Sequence, residues 1–181
     1  MREIPDSQIL SLFHSTSAKE EGFKLLMQKY QQRLYGQIRR MTLNHDDTDD
    51  VLQNVFIKVW NHLGQFREQA QLSTWLYRIA MNESLTFLNQ KKRRGAEALV
   101  TEAGIAAQLR ADIHFDGDEI QLKLQAAIST LPEKQKQVFL MRYYDELPYE
   151  EMSRLLGTSE GALKASYHHA VKKIESFLTS D

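Results

Sequence analysis

The stretch from Pro148 to Leu178, PYEEMSRLLGTSEGALKASYHHAVKKIESFL, constrains the fold of this chain more than any other, because it reads as two helices joined by a tight turn. Pro148 suits the first helical position, where a missing N–H costs nothing, and Tyr149, Met152, Leu155 and Leu156 form an apolar face. Gly157 ends that helix. Thr158 and Ser159 offer oxygens to cap a second helix, in which Leu163, Tyr167, Ala170, Ile174 and Phe177 recur at helical spacing. Its opposite face carries Glu160, Lys164, Ala165, His168, His169, Lys172 and Lys173. The pattern is a helix-turn-helix: one helix braces, and the other offers small, polar and cationic side chains to a DNA major groove.

An ordinary helical hairpin with a solvated basic face has the same periodicity. The small residues favour DNA reading. Gly161, Ala162, Ala165 and Ser166 occupy the first turns of the second helix, the part that must approach base edges closely, whereas a merely solvated face has no need to be thin there.

At 181 residues the chain holds one medium domain or two small ones. With no cysteine, disulfide, thiol-catalytic and zinc-thiolate chemistry are excluded and a reducing compartment fits. MREIPDSQIL lacks the apolar segment of a signal peptide and no run reaches membrane-spanning length, so a soluble, cytoplasmic protein is expected. The net charge of −1 is unevenly distributed, with +4 over residues 1–94, −5 over 95–119 and 0 over 120–181. A near-neutral total argues against strong unaided DNA binding, which depends on neutralising phosphates and releasing counterions. Something else must supply much of the grip.

Ser7 to Phe13 reads as a short helix, and Ser17 with Glu20 makes a capping box for a long one. That long helix runs to about Leu43, with Phe23, Leu26, Met27, Tyr30, Leu34, Ile38 and Met41 as its buried stripe. His45 to Asp50, HDDTDD, gathers carboxylates around an imidazole, but acidic residues at a helix start answer the dipole, and Thr48 or Asp49 can cap a helix beginning at Asp50. There is no glycine-rich phosphate loop, nucleophile motif or spaced ligand set to converge on it, so no catalytic residue, metal or cofactor is expected.

The helix from Asp50 to about Leu63 buries Leu52, Val55, Phe56, Val59 and Leu63, and holds Asp50, Gln53, Asn54 and Lys58 on its other face. That polar strip suits a partner helix or plain solvent equally well. Next, a polar loop from Phe66 leads into a helix capped near Ser73, which mixes Trp75, Leu76, Ile79, Leu85 and Leu88 with Arg78, Asn82 and the terminal Lys91, Lys92, Arg93 and Arg94. Most of the apolar members belong to the core. Aromatics beside cations and an Asn are also what holds single-stranded DNA, by stacking bases and tracking phosphates. Residues 95–119 then read as an acidic connector, and four further helices follow from Ile120.

Two blocks in this order resemble one family, the bacterial RNA polymerase sigma factors of the extracytoplasmic-function (ECF) type. DDTDDVLQNVFIKVW followed by FREQAQLSTWLYRIAMNESLTFLNQKKRR is similar to conserved region 2, and LPEKQKQVFLMRYYDELPYEEMSRLLGTSEGALKASYHHAVKKI is similar to region 4. The resemblance implies an all-α fold of two small helical domains, region 2-like over 1–94 and region 4-like over 120–181, joined by the acidic linker 95–119. It further implies a promoter-specificity subunit rather than an enzyme.

By the same resemblance, Asp50, Gln53 and Asn54 dock the coiled coil of the polymerase's largest subunit. Phe66, Trp75, Tyr77, Arg78 and Asn82 open the −10 element and hold its non-template strand, with Lys91, Lys92, Arg93 and Arg94 on nearby phosphates. Ser159, Glu160, Lys164, Ser166, His168, His169 and Lys172 are the candidate contacts to −35 duplex DNA. The polymerase flap region and an anti-sigma factor are further implied partners, and no small-molecule substrate is. One departure stands out: Ser166, His169 and Val171 replace arginines that members often carry, and arginine is the usual bidentate reader of guanine. The competing reading is an autonomous helix-turn-helix regulator that binds duplex DNA as a dimer.

Overall fold

A computed structural model describes residues 4–67, 70–94 and 119–179, so all of the expected linker except Glu119 lies outside the described residues. Those residues form helices and no strands. The chain divides into two compact units, Met1–Gln90 and Lys91–Asp181.

In the first unit, α1 (Asp6–His14) packs on α2 (Lys19–Thr42), and α2 packs on α3 (His45–His62), which continues into a single 3-10 turn at Leu63–Gln65. The fourth helix, α4 (Leu72–Arg93), adds Leu72, Leu76 and Ala80 to the same core. Leu26, Leu34, Ile38, Val55, Val59 and Leu63 are wholly excluded from solvent, as the periodicity requires. Each contributes roughly 1.5–3 kcal/mol relative to an exposed position.

Two devices fasten α1. Gly22 lets the backbones approach so closely that a Cβ there would lie 2.5 Å from the Phe13 amide nitrogen. The Asp6 carboxylate accepts hydrogen bonds from Lys29 Nζ at 2.8 Å and from the Tyr30 hydroxyl at 2.8 Å.

Several helix starts differ from the sequence reading. α2 begins at Lys19 behind Ala18, with no side-chain cap; Ser17 Oγ instead lies 3.2 Å from Ser15 Oγ within a preceding turn, so the capping box does not form. α3 begins at His45, not Asp50, because Leu43 turns the chain in the left-handed region (φ 60°) and Asn44 accepts the Asp47 N–H at 2.9 Å. Thr48 is then a buried helical residue, its hydroxyl 2.7 Å from that of Thr42, and Asp49 is helical too; neither caps. Ser73 likewise lies inside α4. Pro148 and Pro132 sit one residue before their helices with extended ψ (145° and 144°), where the missing N–H is equally harmless.

In the second unit α5 (Glu119–Ser129), α6 (Glu133–Tyr143) and α7 (Tyr149–Leu156) all pack on α8 (Glu160–Thr179). Ile128, Leu140, Met152, Leu163 and Ala170 are among its buried core. Gly157 ends α7 with φ 61°, a conformation glycine adopts without penalty, and its N–H returns to the Ser153 carbonyl.

Candidate functional site

The described residues present three surfaces. On the first, α2 and α3 enclose an open cleft of about 610 Å³ whose apolar wall includes Phe23, Met27, Phe56 and Trp60, while Gln31, Asp49, Asp50 and Gln53 stand among its polar lining. Ile57 also lines it and is 54% exposed, unusual for an isoleucine in a helix whose other apolar residues are mostly buried. Sequence reasoning named Asp50 and Gln53 but missed Ile57, which lies one turn beyond Gln53 on the same face. Asn54 is exposed on α3 outside the cleft lining, and Lys58 is turned away to pair with Glu83 of α4.

The cleft wall is built from packed rings. Trp60 packs edge-on against Phe23 at 5.0 Å and Phe13 at 5.6 Å, and Lys19 caps the indole at 4.6 Å. At the α2–α3 corner His45 bridges Tyr35, 2.6 Å from its Nδ1, and Asp49, 3.4 Å from its Nε2. Burial raises the Tyr35 phenol above its ordinary pKa. The cleft thus combines an apolar floor with exposed carboxylate and amide acceptors at its rim. The HDDTDD segment forms the first turns of α3, capped by Asn44.

The second surface lies on α4. Phe66 and Trp75 are half-buried, their rings 5.3 Å apart, and both pack on the core. Arg78 and Asn82 follow Trp75 at helical spacing on one face, with Asn82 exposed. Tyr77 falls on another side of the helix, packed on the core, and its carbonyl accepts a hydrogen bond from Gln37 at 3.3 Å. The structure therefore groups Phe66, Trp75, Arg78 and Asn82, and sets Tyr77 apart. Lys92, Arg93 and Arg94 are exposed at the end of α4, with Lys91 half-buried beside them.

The third surface is α8. Ser159 caps it by accepting the Ala162 N–H at 3.3 Å, as its sequence predicts. Gly161, Ala162, Lys164, Ala165, His168, His169 and Lys172 are exposed, whereas Ser166 is half-buried nearer the core stripe. A Cβ on Gly161 would meet nothing within 4 Å, so packing within this unit does not require that thinness. Lys164 Nζ pairs with Glu160 at 3.2 Å.

Among the described residues no helix is long and apolar enough to cross a membrane. The family profile described as sigma-70 region 2 matches residues 26–94, and the profile described as sigma-70 region 4 matches residues 121–174. The chain is 29% identical over 171 residues to the RNA polymerase sigma-H factor of Pseudomonas aeruginosa, covering 88% of this chain and 87% of that one. It is 29% identical over 158 residues to the ECF RNA polymerase sigma factor SigW of Bacillus subtilis, covering 82% and 84%. Two solved structures share the fold at 19% identity: the sigma factor RpoE of Bartonella quintana in complex with the anti-sigma factor NepR (TM-score 0.71, covering 88% of this chain and 98% of that one) and CnrH in complex with the cytosolic domain of CnrY (TM-score 0.67, covering 97% and 96%). With region 2 and region 4 both matched, in order and over about two-thirds of its length, the chain belongs to the sigma-70 family of RNA polymerase sigma factors, in the ECF group.

Proposed function

We propose that this promoter-specificity subunit, which performs no catalysis of its own, divides its work among the three surfaces. The α3 cleft, with Asp50, Gln53 and Ile57, docks the coiled coil of the polymerase's largest subunit, and Asn54 touches the same partner from beside it. Phe66, Trp75, Arg78 and Asn82 hold the melted non-template strand of the −10 element. Tyr77 supports that surface from the α2 side. Lys91 to Arg94 neutralise neighbouring phosphates. α8 enters the −35 major groove through Lys164, His168, His169 and Lys172, flanked by Ser159, Glu160 and Ser166, while the second unit meets the polymerase flap region.

The chain acts in the cytoplasm, where its polymerase works, on a linker over residues 95–119 that joins domains 1–94 and 120–181. RpoE in complex with NepR supports an anti-sigma partner here as well.

The observation that carries this reading is the open cleft beside Asp50 and Gln53, with Ile57 exposed in it. The test is to titrate core RNA polymerase with Asp50→Ala plus Gln53→Ala and, separately, with Ile57→Ala. Affinity falls about tenfold or more, as for central interface residues, with thermal stability unchanged. Wild-type affinity in both variants contradicts the docking assignment.

A further inference from the structure

The Tyr149 ring connects the three helices of the helix-turn-helix region. It belongs to α7, yet Arg142 of α6 lies 5.2 Å from its centroid, Lys164 of α8 lies 5.5 Å from it, and Tyr167 of α8 meets it edge-on at 6.5 Å. Arg142 is itself fixed, because its Nη1 donates to the Leu147 carbonyl at 3.1 Å across the α6–α7 turn. Tyr167 is fixed as well, stacked on Phe139 at 5.8 Å and 14°. Two independently anchored groups therefore hold the ring, and the ring offers its π face to a lysine on the DNA-facing side of α8.

Lysine is a flexible point charge that loses considerable rotamer freedom when it is pinned to a base. Here its Nζ donates to Glu160 Oε2 at 3.2 Å and lies over the Tyr149 ring, 5.5 Å from the centroid. We propose that Tyr149 is a positioning residue for promoter reading: with Glu160 it orders Lys164 before DNA arrives, leaving one N–H directed at a single acceptor on a base edge of the −35 element. This device replaces the bidentate fork of an arginine with one aimed donor, and so makes the −35 preference depend on a side chain that never touches DNA. It rests on the assignment of α8 to the −35 groove.

The test uses the full chain in holoenzyme with core polymerase, on promoter fragments that the wild-type holoenzyme selects from a pool randomised across the −35 element. Lys164→Ala lowers affinity for the selected sequence about tenfold against scrambled −35 DNA, the size of one base contact. Replacing Tyr149 by phenylalanine leaves binding near wild type, and adding one, two and then three ring fluorines, which keep the shape while draining the π face, lowers it stepwise to a total of about two- to fivefold. In the Lys164→Ala background the same series is flat. Equal binding across the fluorinated series, or the same decline with Lys164 absent, overturns the positioning role. If Lys164→Ala itself leaves −35 discrimination unchanged, the α8 assignment fails at this position and the inference with it. The isosteric series also keeps the test free of folding effects, to which Tyr149→Leu is open.

Discussion

Tyr30 shows how one buried polar atom constrains the first unit. Its hydroxyl donates to Asp6 in an environment only 2% exposed; burial first, and then that hydrogen bond, push the phenol well above its ordinary value of about 10. The folded state favours the neutral phenol. Its contribution is therefore complete below the unfolded value and is lost as pH rises from there toward the folded one. Urea midpoints measured from about pH 8 to 11 are expected to fall in the upper part of that range, and Tyr30→Phe flattens the fall while costing about 1 kcal/mol at neutral pH. An identical alkaline slope in wild type and variant contradicts this. Burial also raises the Tyr35 and Tyr167 phenols, so the difference between the two proteins is the informative quantity. The same scale explains a misplaced helix start: Thr48 was a reasonable cap by sequence, but its hydroxyl is used by Thr42 and the Asn44 carbonyl, and Asn44 caps instead.

Among the elements, α1 depends on a contact that only glycine permits. Gly22→Ala places a methyl 2.5 Å from the Phe13 amide and 3.0 Å from the Ile9 carbonyl, and backbone cannot yield as a side-chain end does. The expected cost is about 1–3 kcal/mol. Because Phe13 packs on Trp60 in the cleft wall, displacing α1 also exposes that indole, which a red-shifted Trp60 emission in a Trp75→Phe background reports. Unchanged stability and emission contradict this account of the α1–α2 crossing.

The buried stripes of α2, α3 and α8 were legible from the recurrence of Leu26, Leu34 and Ile38, of Val55 and Val59, and of Leu163, Ala170 and Ile174, since helical period alone decides which face is inward. Ile57 stands on the polar face by the same period, four residues after Gln53, but the cleft it lines was not legible, because that depends on how α2 packs against α3. Nor was the Tyr149–Lys164 contact, which depends on the angle between α7 and α8, or the placement of Tyr77 toward α2, which depends on how α4 is rotated against its neighbours.

For the whole molecule, charge decides how DNA is held. A net charge of −1 gives the free protein little counterion release to gain, and Ser166, His169 and Val171 of α8 bring none of the phosphate and guanine contacts that arginines would add there. Promoter affinity therefore depends on docking to polymerase, which fixes both units over DNA and turns two weak contacts into one strong one. Run-off transcription tests this directly, using core RNA polymerase from the same organism on a pool of its promoters, with and without the protein. Transcripts that begin only in its presence, share −10 and −35 sequences and disappear with Asp50→Ala plus Gln53→Ala are the predicted result. Unchanged start sites, together with tight binding of duplex DNA by the protein alone, contradict it.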